Sequence, residues 1–546
     1  MSRLISRALV LCLLAPVYIF AQVPNGITSF SKLPRSIAKD YYIYRYLNEK
    51  NPSSNDAKKL LSQAKRVNLK LFRTFAKKID DEGFKKVSKC LRLKTKALLK
   101  DDNDCIAIGL SIRDVLSLDK QTVKKLSIRL KNYKDINKTL QILSAKNIFT
   151  ESLKNKKDFL NIINSSGDKY RKIFFDKVID KKTINNLSEK KAFNKTIELV
   201  MTQRNLQNLQ KSFLQINQNQ NLTSKSLFFL ALNALEYKKE SLALTWFDSA
   251  YKKAYFRFDK DKILFWQYLV SSDKIYLNDL VKSFDINIYT IYAHELTSKK
   301  FDNIFSPIIK DKNKKYDIQN PFLWTNLLWK IKDKNTTQLL KIAKNFKHRN
   351  TVGQYTFIKE RADGYKNSYF PTPFYYYLKN YNTKRKALIF SLARQESRFI
   401  PASISTSYAL GMMQFMPFLA KAVAKNEKMK KFDLDYMFKP KIAYKFANIH
   451  LNYLSHYLLH PLFIAYAYNG GIGYVKRLLK SGYFFNKSKY EPYLSLELIS
   501  YAQTRKYGKK VLANYVIYMQ LLGKKVSLNN LFQMLVKPQK TDIFRQ

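Results

Sequence analysis

The stretch Leu227-Phe228-Phe229-Leu230-Ala231-Leu232-Asn233-Ala234-Leu235, a polar turn at 236–240, and then Leu242-Ala243-Leu244-Thr245-Trp246-Phe247 reads as two apolar helices joined by a short charged connection, a helical hairpin. The same character extends in both directions. No proline occurs from Ser53 to Ser306, and only Gly83, Gly109 and Gly167 interrupt that span. A stretch so free of helix breakers is expected to be mostly α-helix. Successive hairpins without a dominant heptad bury their apolar faces against their neighbours, so an α-solenoid is expected rather than a coiled coil. At 546 residues the chain has room for two to four domains. Pro307 and Pro321 mark a change of composition, and Tyr369-Phe370-Pro371-Thr372-Pro373-Phe374-Tyr375 opens a third region. Nine of the 13 glycines lie from Gly353 onward, so unusual backbone angles are concentrated in that last part.

The chain carries 99 Lys+Arg against 41 Asp+Glu, a formal net charge of +58. Such a surface attracts an anionic polymer or membrane at low salt, although lysine-coated helices explain the same count. Arg3 and Arg7 precede a 14-residue, almost wholly apolar stretch from Ala8 to Ala21, which reads as a secretory signal peptide over 1–21. It is short for a spanning helix, and no later stretch reaches 18 apolar residues, so no stable membrane span is expected in the mature chain. Cys12 falls within the discarded segment. Export argues against a nucleic-acid partner despite the charge. It also favours a disulfide between the remaining pair, Cys90 and Cys105, with two buried thiols as the alternative.

Chemistry is concentrated in four later segments. Glu396 sits in Ala393-Arg394-Gln395-Glu396-Ser397, at the end of the apolar run Ala387-Leu388-Ile389-Phe390-Ser391-Leu392. A carboxyl buried there, with Met413, Phe415 and Met416 closing over it, has a raised pKa and can act as a general acid. Gly411-Met412-Met413-Gln414-Phe415-Met416-Pro417 follows, and then Ala467-Tyr468-Asn469-Gly470-Gly471-Ile472-Gly473 and Gln503-Thr504-Arg505-Lys506-Tyr507. Gly411 permits a tight turn, Gln414 offers an amide, and Pro417 disfavours helix at Met416, leaving that carbonyl available. The plainer reading of Ser405 is a helix or loop cap, and Asn-Gly-Gly at 469–471 suits a helix C-cap. Two-carboxylate hydrolysis needs a second acid facing the first. From residue 381 on, Glu427, Glu491, Glu497, Asp433 and Asp435 lie in no motif suited to that, so one acid acting twice is the better reading. His450, His456 and His460 fall on one expected helix, but without an adjacent carboxylate no metal site is expected. No cofactor motif is present.

In this order the four segments resemble the soluble lytic murein transglycosylases, whose catalytic domain reads A-R-Q-E-S, S-x-x-G-A-x-G-L-M-Q, A-Y-N-A-G-P-G and E-T-R-x-Y. The resemblance implies an all-α chain: signal peptide 1–21, an α-superhelical solenoid over 22–290 that closes into a ring, a small helical linker domain over 291–366, and a lysozyme-like catalytic domain of goose type over 367–546. It implies a periplasmic enzyme, expected to be a monomer, that cleaves the β-1,4 bond between N-acetylmuramic acid and N-acetylglucosamine without water and leaves a 1,6-anhydro end. Glu396 is then the acid and base, and Ser405, Gln414, Met416, Tyr468, Asn469 and Gln503 bind substrate. Peptidoglycan strands and their stem peptides are the implied partners, with cell-wall synthesis enzymes a further candidate. Five positions depart from these patterns: Tyr408 stands where the family has glycine, Met412 for leucine, Gly470 for alanine, Ile472 for proline, and Gln503 where it has glutamate. A goose-type muramidase that uses water, and a cell-wall-binding scaffold without activity, are the alternative readings.

Overall fold

A computed structural model describes residues 26–313, 315–485 and 488–545. The expected signal peptide and Cys12 lie outside the described residues. Helices follow one another from Ile27 to Met534, and the only named strands among the described residues are Ile304–Phe305 and Ser368–Tyr369, paired in parallel. No helix among the described residues is long and apolar enough to cross a membrane.

The hairpin that set the fold class is present as Ser224–Glu236 and Glu240–Lys253, with its turn where the charged residues predict it. Thr223 caps the first helix by accepting the Ser226 N–H. From Ser226 to Leu235 every residue of that helix is buried, because hairpins on both sides cover it. Cys90 and Cys105 form a disulfide near the start of the array. It joins the helices Glu82–Cys90 and Asn103–Gly109, too short to hold their packing by apolar area alone.

Three helices, Pro321–Lys330, Thr336–Lys344 and Val352–Ala362, enclose a small separate core of Leu327, Ile331, Leu339, Ala343, Ile358 and Ala362. Beyond it the chain enters a larger helical body in which Thr383–Ser397 packs against Ala502–Leu521. Gly508 permits that long helix to cross Pro461–Gly470 closely: a Cβ there would lie 2.1 Å from the Tyr466 ring.

The chain closes on itself through two sets of polar contacts to this C-terminal body. On one side the early helix Ile37–Glu49 supplies Arg45, paired with Asp433 at 2.7 Å and Asp435 at 3.0 Å, while the Tyr42 hydroxyl donates to Asp435. On the other, the solenoid supplies Glu198 to Arg505 at 2.7 Å and Tyr289 to Glu497 at 2.6 Å, and Glu497 also holds buried Lys509. Buried pairs of this kind cost desolvation, so they fix register more than they add stability.

Candidate active site

Glu396 occupies the last turn of Thr383–Ser397, whose residues 387–393 are all buried. Asn382 caps the start of this helix, and Arg398, at φ 55°, ends it in a left-handed turn. The apolar helix carries the carboxyl inward, where burial pushes its pKa up to about 7. The opposing influence is a hydrogen bond from the Tyr507 hydroxyl to Glu396 Oε1 at 2.7 Å, which favours the ionised form. Tyr507 was quoted within the fourth motif but given no role by sequence reasoning. Its signal is its register four residues beyond Gln503 on one helix, which becomes meaningful only when that helix is laid against Thr383–Ser397.

The loop between Glu396 and the next helix is held by its own backbone. Ile404 bridges Leu410, and Leu410 bridges Phe415. Gly411 has φ +75°, and a Cβ on it would lie 2.1 Å from the Met437 carbonyl oxygen, so no other residue fits. Gln414 is also left-handed, at φ 50°, and its amide donates to the carbonyls of Gly411 at 2.8 Å and Ser403 at 3.2 Å. Its nitrogen is therefore engaged in the loop, and its oxygen is the atom left for other partners. Ser405 behaves as the plainer reading expects: its Oγ accepts the Ala409 N–H at 2.9 Å, and it makes no hydrogen bond to Glu396.

Pro417 starts a helix, and the Met416 carbonyl accepts the Ala420 N–H at 3.0 Å as the first bond of that helix, so one of its two lone pairs is engaged. Proline removes its own N–H and leaves the capping carbonyl in use. Met413 and Phe415 are buried as expected.

Tyr468 and Asn469 lie at the end of Pro461–Gly470, which Gly471 caps. The Tyr468 hydroxyl donates to the Met413 carbonyl at 2.9 Å and is further held in its neutral form by burial and the nearby Glu396 charge. Asn469 Oδ1 accepts from Thr504 at 2.9 Å, which ties the third segment to the fourth. Gln503 is exposed in the first turn of Ala502–Leu521. Tyr408, at φ 67°, adopts the conformation that glycine would serve, and its buried ring packs on Tyr41 and Tyr44 of the early helix. The left-handed geometry costs about 1–2 kcal/mol, which aromatic burial offsets.

The other carboxylates of this region are occupied elsewhere: Glu427 by Lys445, Glu491 by Arg204, Glu497 by Lys509, Asp433 and Asp435 by Arg45, and Asp542 by Arg545. The three histidines do not share a helix as expected. Pro440–Ser455 ends before His456, and His460 caps the next helix because the residue before Pro461 is driven out of helical geometry. His460 is buried between the Leu462 N–H and the Leu531 carbonyl. Among the described residues no cluster of histidine, cysteine and acidic side chains could hold a metal.

With this geometry in place, comparison with known proteins is informative. Residues 375–491 match the family described as the transglycosylase SLT domain. The chain is 32% identical over 149 residues to a putative soluble lytic murein transglycosylase of Haemophilus influenzae, a match covering 27% of this chain and 24% of that protein. It thus spans about a quarter of the length of that curated relative. Among solved structures, a complex of the 70-kDa soluble lytic transglycosylase with bulgecin A aligns with TM-score 0.50 at 16% identity, over 92% of this chain and 88% of that one. The 70-kDa enzyme from Escherichia coli aligns over the same shares at 16% identity with TM-score 0.40. Residues 375–491 are accordingly similar to the transglycosylase SLT domain, within an all-α chain whose fold resembles that of the 70-kDa soluble lytic transglycosylase.

Proposed function

We propose that this chain is an exported, periplasmic lytic transglycosylase of peptidoglycan, with Glu396 as its single acid and base. The observation that carries the reading is the Glu396 carboxyl, desolvated to a pKa of about 7, with Tyr507 as its hydrogen-bond partner and every other acid from residue 381 on paired with a cation. A group that titrates near neutrality serves well both as proton donor and as proton acceptor. In the reaction, Glu396 gives its proton to the glycosidic oxygen as the bond to the muramoyl anomeric carbon breaks. The substrate's own N-acetyl group stabilises the resulting positive charge. The ionised Glu396 then takes the proton of the muramoyl 6-hydroxyl, whose oxygen closes onto the anomeric carbon. Glu396 ends protonated again, and no water is consumed.

Supporting parts are assigned by position. Tyr468 keeps Met413 in place beside the acid, the Gln414 amide oxygen and the Asn469 amide nitrogen are the free polar groups of their loops, and exposed Gln503 contacts the strand further out. Ser405 and Met416 shape the loop through their backbone bonds. The working division is 22–290, 291–366 and 367–546, with the basic helical part holding glycan strands or their anionic peptides.

The test is mass spectrometry of the muropeptides released from purified peptidoglycan by the mature protein, with Glu396→Gln beside it. Anhydromuropeptides from the wild type alone are expected. Products heavier by one water would instead make the chain a muramidase, and no products at all would leave a binding scaffold.

A further inference from the structure

A second cavity lies behind the Glu396 helix. Its volume is about 420 Å³, and it is bounded by the solenoid at 256–258 and 284–287, by the middle helices at 360–368, and by the C-terminal body at 394–398 and 506–514. That size accommodates a small ligand. Arg394 lines it from the last turn of the Glu396 helix and Arg398 from the left-handed residue that ends that helix. Glu396 lies two residues beyond Arg394 and so is turned roughly 160° away from it around the helix. From the long C-terminal helix Lys506 and Lys510 line the cavity, four residues apart, whereas Tyr507 turns to Glu396. The cavity and the catalytic acid therefore share two helices and occupy different sides of them.

The charges in this cavity do not balance. Arg394 and Arg398 share one carboxylate, Glu360, at 3.1 and 3.2 Å. Lys506 and Lys510 have no ion pair or hydrogen bond among the described residues; Lys506 lies over the Phe258 ring, and the Asp285 charge acts on Lys510. Lys510 is half-buried among Lys506, Arg398 and Arg394, and burial together with those like charges pulls its pKa down. Leaving such a group unpaired is costly, and a bound anion removes the cost. The walls are mostly polar, with Phe256, Phe284 and Tyr365 adding exposed aromatic surface. A cluster of cations drawn from two chain segments, with exposed aromatic rings in the same lining, suits a small ligand that carries more than one carboxylate on a short aliphatic frame.

We propose that this cavity is a binding site for a small dicarboxylate ligand, held by Lys506, Lys510 and Arg398. Such a ligand has two sources, a peptide with free side-chain and terminal carboxylates or a free dicarboxylic acid. The site is distinct from the Glu396 centre and does not depend on its chemistry.

The test is calorimetric titration of the mature chain with glutarate, with a γ-glutamyl tripeptide carrying two free carboxylates, and with the diamide of that tripeptide. The carboxylate probes are expected to bind and the diamide to give no heat. Lys510→Gln and Lys506→Gln are each expected to weaken binding at least ten-fold, and Lys124→Gln, exposed in the early solenoid and outside the cavity lining, to leave it unchanged. Because Lys506 is exposed, its substitution keeps the fold, which a melting curve checks. Tripeptide binding ten-fold tighter than glutarate assigns the site to a peptide; equal affinities assign it to a free dicarboxylate. Absence of binding by both probes, equal binding of the diamide, or unchanged affinity in both lysine variants overturns the proposal. No glycan enters the titration, so its failure leaves the reading of Glu396 untouched, and failure of that reading leaves this one.

Discussion

Replacing Glu396 by glutamine should stabilise the protein in a pH-dependent way as well as abolish turnover. The carboxyl is raised from 4.5 to about 7 in the folded chain. Below pH 4.5 both folded and unfolded chains hold this proton, and the group contributes nothing to the pH dependence. Between 4.5 and 7 the unfolded chain has released it while the folded chain retains it, so stability falls as pH rises. Above 7 the folded protein bears a desolvated carboxylate, and the loss is complete. At about 1.4 kcal/mol per unit the total is roughly 3 kcal/mol. Glutamine has nearly the same shape and never ionises. Its melting temperature should therefore match the wild type at pH 4 and exceed it by roughly 6–12 °C at pH 8, for a unit of this size. Scanning calorimetry of both proteins from pH 4 to 8 measures this. A difference that stays constant across the range would refute the claim that burial holds the acid protonated.

Tyr507→Phe removes the one bond that favours the ionised Glu396. Hydrogen bonds to charged groups contribute about 1.5–3 kcal/mol, so the alkaline limb of the kcat/KM profile should move up by about 1–2 pH units. An unmoved limb would mean that Tyr507 does not act on the acid. Gly411→Ala meets both a left-handed φ and the Met437 carbonyl, and should cost about 2–5 kcal/mol and most of the activity; melting and turnover assays read both. Cys90→Ser with Cys105→Ser opens a loop with a sequence separation of 15, for a local loss of about 3 kcal/mol. Faster proteolysis within 81–111 with unchanged turnover is the expected result, and a large fall in turnover would tie the early hairpins to catalysis.

The fold class was legible because burial leaves a period in the chain. Leu227 to Leu235 and Leu242 to Phe247 announce their helices, and the missing prolines announce how far the array runs. Glu396 was legible for a related reason, since a carboxyl at the end of an apolar helix has few explanations. What stayed hidden depends on how distant segments meet. Tyr507 reaches Glu396 only because two helices 111 residues apart in sequence pack side by side. The role of Tyr408 depends on Tyr41 and Tyr44, which no local pattern connects to it. That the Met416 carbonyl also opens the helix begun by Pro417 depends on where that helix's first turn falls, which the proline alone does not state. The histidines were misplaced because Pro461 ends one helical register and begins another.

The closing contact between Tyr42 and Asp435 spans 393 positions of sequence. Few contacts within one chain demand so much chain between their ends, and the entropy of bringing them together is recovered only after the intervening helices have formed. The early helix emerges well before its last partners: Tyr46 packs on Phe30 and Tyr42 on Phe322, but Tyr41 and Tyr44 meet the Tyr408 ring only when the loop at 404–415 has been made and folded. That loop in turn packs its Tyr408 ring against the early helix. The Tyr408 side of the loop next to Glu396 therefore reaches its final packing only when the early helix and the C-terminal body are present together.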